Sequence, residues 1–280
     1  QNFFLLVPDQ STLNAQKELV TRHPFHGTMN IDVVGFFRLA YRIFEELSYV
    51  PKDLLEDEGK SMIIRKVMEK RKKDLKVFAS SMKKPGFIEE MKSFLAEMYQ
   101  YDISKDKITE VTKQMSHPGL QAKMDDILII MKDFEKEIQD RYLISEQLFD
   151  VLAEKMIFSE KIKDAIFYVD GFTGFTPIQR KVIKKLLQIG KEVKITLTAE
   201  KETFYRPYKD YELFAMSKME KHMLVQMAQE LGVEVKKDIF CTPDTRDSKE
   251  LRFLERNLFH YPYNIWKEKC QDLYVFQAVN

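Results

Sequence analysis

The chain has 280 residues, 44% hydrophobic and 32% charged, with apolar residues spread along its whole length; this excludes wholesale disorder. The 45 Lys and Arg against 44 Asp and Glu leave a net charge of +1, which excludes a uniformly basic polynucleotide coat but not a local basic face. No apolar run approaches the ~18–20 residues of a bilayer span, no signal-peptide pattern opens the chain, and the two cysteines, Cys241 and Cys270, are too few to frame the fold and point to a reducing compartment, the cytoplasm.

Residues 3–7 (Phe-Phe-Leu-Leu-Val) form a continuous apolar run stopped by Pro8-Asp9, as a buried parallel strand would. Helical spacing follows from Ser11, a candidate cap, to Arg22. Residues 30–34 alternate like a strand, and Gly35 leads into Phe36–Phe44, apolar again at helical spacing. The opening therefore reads strand–helix–strand–helix, the start of a doubly wound sheet. Residues 51–156 differ. They hold hardly any β-rich run, and their periodicity predicts helices near 57–73, 86–100, 104–115, 119–141 and 145–156, punctuated by Pro85-Gly86 and Pro118-Gly119. We read them as an all-helical insertion.

The α/β pattern then resumes. Ala165–Asp170 is a strand ending in a carboxylate, and Thr176-Pro177 starts a helix running through Leu187. Residues 193–198 form another strand, followed by a helix near 210–231, a short strand Val233-Glu234-Val235, a helix over 251–259 and a last strand over 272–276. The division predicted is thus residues 1–50 and 157–280 as an α/β core, with 51–156 inserted. The chain opens in one apolar run and stops just past another, as a piece of a longer polypeptide would.

Several chemistries lack their residues. Glycine is scarce, and neither the G-x-x-x-x-G-K-[ST] nor the G-x-G-x-x-G spacing occurs, so no phosphate-cradling loop lies in this chain. The five histidines (His23, His26, His117, His222, His260) are scattered; only His23 and His26 are close, in a loop with no carboxylate or thiol at ligand spacing, and no metal site is predicted. No G-x-S-x-G motif and no Cys–His pairing suggests acyl transfer, so no catalytic residue is assigned. The basic run Lys60–Lys76, with Arg65, Lys66, Lys70, Arg71, Lys72 and Lys73, reads either as a solvated helix face or as a phosphate-contacting surface. The informative segment is Tyr168-Val169-Asp170-Gly171-Phe172-Thr173-Gly174-Phe175-Thr176-Pro177-Ile178-Gln179. An Asp at the carboxyl end of a buried strand in an α/β sheet is where ligands bind, and in motor ATPases such an Asp holds Mg²⁺.

That segment resembles the degenerate motif II of the AddB family, the second subunit of bacterial AddAB helicase–nucleases. Leu6–Thr12, with Asp9, Gln10 and Thr12 in its loop, is similar to the family's early motif, the counterpart of motif Ia in UvrD-like helicases. Asp32–Arg42 is similar to the next DNA-facing motif, Ile195–Lys201 stands in the place of motif III, and Phe276–Asn280 resembles the strand that opens the following motif. The resemblance implies a RecA-like (UvrD-type 1A) parallel sheet carrying a helical 1B insertion. It also implies a scaffold without motor activity, because Gly171 stands where an active motor has Glu and Thr198-Ala199-Glu200 replaces the γ-phosphate sensor; an active superfamily 1 helicase is the rival reading. By the same resemblance, Asp170 is a remnant Mg²⁺ ligand, and Phe36, Phe37, Arg38 and Arg42 are candidates for single-stranded DNA contact, the two Phe residues being equally readable as core. ATP with Mg²⁺ and an iron–sulfur cluster are expected only in the full-length protein. The expected partners are an AddA-type helicase–nuclease and single-stranded or duplex-end DNA. The implied role is strand handling, recognition of the regulatory Chi sequence and assembly, in an enzyme that resects double-strand breaks for recombinational repair.

Overall fold

The structure is a computed structural model that describes residues 2–84, 86–201, 204–241, 248–259 and 261–277. Pro85, His260 and the end of the last predicted motif strand (Ala278, Val279, Asn280) lie outside the described residues.

Strand β1 (Phe3–Leu6) leads through a 3₁₀ turn (Asp9–Ser11) to α1 (Thr12–Arg22), β2 (Ile31–Val34) and α2 (Phe36–Glu46). Next come β3 (Asp53–Leu54), α3 (Asp57–Arg71), α4 (Phe87–Gln100), α5 (Lys105–Gln114), α6 (Pro118–Ile138), β4 (Tyr142–Leu143) and α7 (Ser145–Lys155). The chain continues through β5 (Ile166–Val169), α8 (Pro177–Ile189), β6 (Glu192–Ile195), α9 (Ala215–Glu230) and α10 (Lys249–Asn257). The four strands expected to share a sheet do so, all parallel, in the order β2-β1-β5-β6. Phe3 pairs with both Ile31 and Ile166, and Ile166 with Glu192. This is the mixed α/β arrangement with a parallel sheet that the alternation of elements predicts, and it is consistent with the RecA-like fold that the resemblance implies.

Two hydrophobic clusters hold the elements. One buries Phe4, Leu6, Val34, Phe167 and Val169 of the sheet against Leu39 and Ile43 of α2, Leu148 and Leu152 of α7 and Val182 and Leu186 of α8. The other lies mainly among the helices between β3 and β4, with Ile64 and Val67 of α3, Met91 and Leu95 of α4, Ile108 of α5 and Ile130 and Phe134 of α6. Asp126 of α6, fully buried, accepts the backbone N–H groups of Lys76, Val77 and Phe78 at 2.8–2.9 Å and so anchors the turn after α3. Side-chain caps start several helices. Thr176 and Gln179 form a reciprocal capping box before Pro177, and His117 Nδ1 accepts from the Leu120 N–H. Ser11, the predicted cap of α1, makes no such bond; the Thr12 hydroxyl donates to the Asp9 carbonyl instead.

Three expectations need correction. Val233–Val235 and 272–276 are not strands, because no sheet edge among the described residues pairs with them, and Tyr274, Val275 and Phe276 lie in solvent; β propensity without a partner strand makes no ladder. The long helix starts at Ala215 rather than near 210. The helical region is not free of strand, since β3 and β4 pair parallel for two residues where the chain enters and leaves the helical cluster.

Candidate functional site

The carboxyl ends of the sheet strands gather the predicted loop residues. Asp170 follows β5, its N–H donating to the Leu6 carbonyl at 2.9 Å, and its exposed carboxylate accepts the Thr196 hydroxyl from the end of β6. Gly171 takes a left-handed backbone, φ +77°, beside Pro8. Asp9 lies against Gly35 at the start of α2. A Cβ on that glycine would stand 1.9 Å from Asp9 Oδ1, so only glycine leaves room for the carboxylate. Burial raises the Asp9 pKa above its ordinary value, and the nearby Arg38 guanidinium offsets part of that rise. Gln10 is exposed in the same turn and Thr12 closes it onto Asp9.

Helix α2 separates the four predicted DNA-contact residues. Phe36 is buried and packs edge-on against Phe172 at 5.6 Å and near Phe149 at 5.7 Å. Phe37 is half-buried on Phe149 at 4.9 Å. Arg38 and Arg42 are exposed one helical turn apart, and Arg42 Nε sits 3.3 Å from Asp32 Oδ2 of β2. Tyr41, within the same Asp32–Arg42 segment but not among the four candidates, is 45% exposed on the Arg38–Arg42 face. The signal was available, because positions 38, 41 and 42 fall on the side of the helix opposite Leu39, Ala40 and Ile43.

The loop from Gly171 to Thr176 is held from a distance. Glu220 of α9, 1% exposed, takes Arg180 Nε and Nη2 of α8 at 3.0 and 2.7 Å and the Phe175 N–H at 3.3 Å. Phe172 and Phe175 then pack tilted on one another and edge-on against Phe36. Nothing local in the sequence marks Glu220, whose partners lie 40 and 45 residues away.

The basic run of α3 proves largely engaged. Lys66 and Lys70 meet Glu137 at 2.6 and 3.6 Å, Arg71 meets Asp133 at 2.6 Å, Lys76 meets Asp125 at 2.9 Å, and the buried Lys60 reaches Glu146 at 3.7 Å. The run is mostly an electrostatic seam between α3 and α6. Among the described residues no group of three or more His, Cys, Asp or Glu could hold a metal ion, and Cys241 and Cys270 are exposed free thiols. No helix among them is long and apolar enough to cross a membrane.

A family model described as "ADDB, N-terminal" matches residues 1–255. The chain is 39% identical over 286 residues to the B subunit of the ATP-dependent helicase/deoxyribonuclease of Lachnoclostridium phytofermentans, covering 99% of this chain and 25% of the relative. Proteins of the same name from Thermoanaerobacter sp. (strain X514) and Clostridium novyi are 31% and 29% identical, over 99% and 100% of this chain and 24% and 25% of theirs. The chain thus spans about a quarter of the length of the curated relatives it matches.

Proposed function

Because the chain belongs to the ADDB N-terminal family, we propose that it is the helicase-like region of the B subunit of a helicase/deoxyribonuclease, a strand-handling and assembly scaffold rather than a motor. The observation that carries this reading is Gly171. It stands where a motor has the Glu that orients the attacking water, and its left-handed backbone is one that side chains rarely adopt. Asp170 and the Thr196 hydroxyl keep oxygen donors that would face the Mg²⁺ of a nucleotide in the full-length protein. The two isolated cysteines do not fit an iron–sulfur cluster, which would belong to other parts of that protein. The partner is an AddA-type motor that drives translocation, the substrate a duplex end undergoing resection for recombinational repair, and the strand passed to this region is the one in which Chi is read. The helical cluster is the inserted subdomain. Its apolar contacts end at Ile144, while α7 packs with the sheet, which favours a boundary nearer 144 than 156.

Single-strand contact falls to the exposed side of α2, with Arg38 and Arg42 on phosphates and Tyr41, rather than the buried Phe36, offering a ring. Asp9, Gln10 and Thr12 shape the loop beside the start of α2, with the Asp9 carboxylate near Arg38. Replacing both arginines with Ala in the full-length protein should weaken binding of an oligonucleotide of about 20 nucleotides. It should also reduce the slope of log affinity against log salt by roughly 0.7 per lost phosphate contact. Fluorescence anisotropy across a salt series measures both, and unchanged affinity and slope would remove this face from the reading.

A further inference from the structure

Beyond α2, the stretch from β5 to Phe240 interleaves rings with cations to an unusual degree. Cation–ring contacts of energetic weight occur about once per 70–80 residues in proteins. Here Lys194 stands 4.8 Å from the centroid of Tyr168, Lys201 5.8 Å from Phe240, and Lys209 5.6 Å from Tyr211. Lys221 reaches both Phe204 at 4.2 Å and Tyr205 at 4.4 Å. Tyr205 and Tyr211 nonetheless leave 66% and 79% of their surface in water.

Tyr205 is held in place. Its hydroxyl donates to Asp238 Oδ2 at 2.6 Å, the same oxygen that takes Lys221 Nζ at 2.5 Å, and its ring stands edge-on to Phe204 and Phe240 at 5.4 and 6.0 Å. A ring fixed this way loses little freedom when a flat ligand lies on it. Lys221 is neutralised by Asp238, whereas Lys201, Arg206 and Lys209, close to the two tyrosines in sequence, are exposed. Flat faces for bases beside solvated cations for phosphates match a flexible single strand.

We propose that Tyr205 and Tyr211, on the segment following β6, form a second single-strand contact in which bases stack on the two rings and Lys201, Arg206 and Lys209 meet the flanking phosphates. This rests on the reading of the chain as a strand-handling scaffold and adds a surface beyond β6, separate from α2. Stacking on a ring carries no counterion release, so its loss leaves a signature that loss of a cation does not.

The test compares full-length wild type with Tyr205→Ala/Tyr211→Ala and Tyr205→Phe/Tyr211→Phe, using an oligothymidylate of about 20 nucleotides in an anisotropy salt series. The alanine pair should bind at least about tenfold more weakly with the wild-type salt slope. The phenylalanine pair should bind like wild type. An oligonucleotide carrying 5-iodouracil should photocrosslink to peptides containing Tyr205 or Tyr211 in the wild type, a readout that needs no variant to fold. If the alanine pair binds within about twofold of wild type and no crosslink maps there, this surface is not a contact, whereas the strand-handling reading stands or falls on Arg38 and Arg42 separately. Equal loss in the phenylalanine pair would trace the effect to the Tyr205–Asp238 hydrogen bond and overturn stacking. No binding by the wild type overturns both.

Discussion

Gly171 and Gly35 show two different reasons for a glycine in one small region. At Gly35 the constraint is space, because the Asp9 carboxylate occupies the volume of a side chain. At Gly171 there is room, Pro8 Cδ lying 3.5 Å from the added carbon, but the φ of +77° penalises any side chain. Gly171→Ala should therefore destabilise the fold by about 1–2 kcal/mol, the cost of a left-handed backbone, as read from the midpoint and slope of urea unfolding. Gly171→Glu should cost a similar amount and release no phosphate from ATP in this chain, which has no phosphate loop. An alanine variant as stable as wild type would mean that the loop adopts another conformation in solution. The sequence shows Gly at 171, where the resemblance implies that an active motor has Glu. It could not show that the backbone there disfavours any side chain.

At the scale of elements, the seam between α3 and α6 makes a pH prediction. The Arg71 guanidinium, hydrogen-bonded to Asp133, holds that carboxylate below its ordinary pKa, and Lys66 does the same to Glu137. For carboxyl groups lowered by folding, the stabilisation is present above their unfolded pKa of about 4 and is lost as pH falls through the folded value. Circular dichroism in an acid titration should show wild-type stability dropping below about pH 4. Asp133→Asn should start less stable at neutral pH and lose less on acidification, and an unchanged acid slope would refute the assignment. Helix positions were legible because apolar residues recur at 3–4 residue spacing, as in Ile127, Ile130, Met131, Phe134 and Ile138 of α6. The carboxylates that secure them were not. Asp126 reads as one charge among many on a helix until the turn that it caps, some 50 residues earlier, is seen beside it.

Across the whole molecule, the membership of four strands in one parallel sheet followed from the alternation of elements, whereas their order and the links between the two clusters did not. Lys181 of α8 reaches Asp150 of α7 at 2.8 Å and Asp102, between α4 and α5, at 2.9 Å, so one side chain touches both sides of the molecule. Glu46 of α2 receives the Ser159 hydroxyl and the Lys161 N–H, closing α2 onto the chain as it returns to the sheet. The candidate interface was legible in part. The four-residue spacing of Arg38 and Arg42 already put them on one helix face, which α2 exposes; Phe36 stayed open between ring and core until α2 showed which way each residue faces, and the tyrosines after β6 carry no motif at all.

The small clasp of β3 on β4 also bears on how the chain folds. Phe3 must find Ile166 with the helical cluster strung between them, the kind of distant pairing that slows folding. Once that cluster forms from its own neighbouring helices and the clasp joins its two ends, the loop that β1 and β5 must close is far shorter, and its entropic cost falls with the logarithm of length. The helices should therefore gain protection first, the sheet second. Pulsed hydrogen exchange during refolding would show amides of α3 and α6 protected ahead of those of β1 and β5, and the reverse order would mean that the sheet nucleates across the open loop.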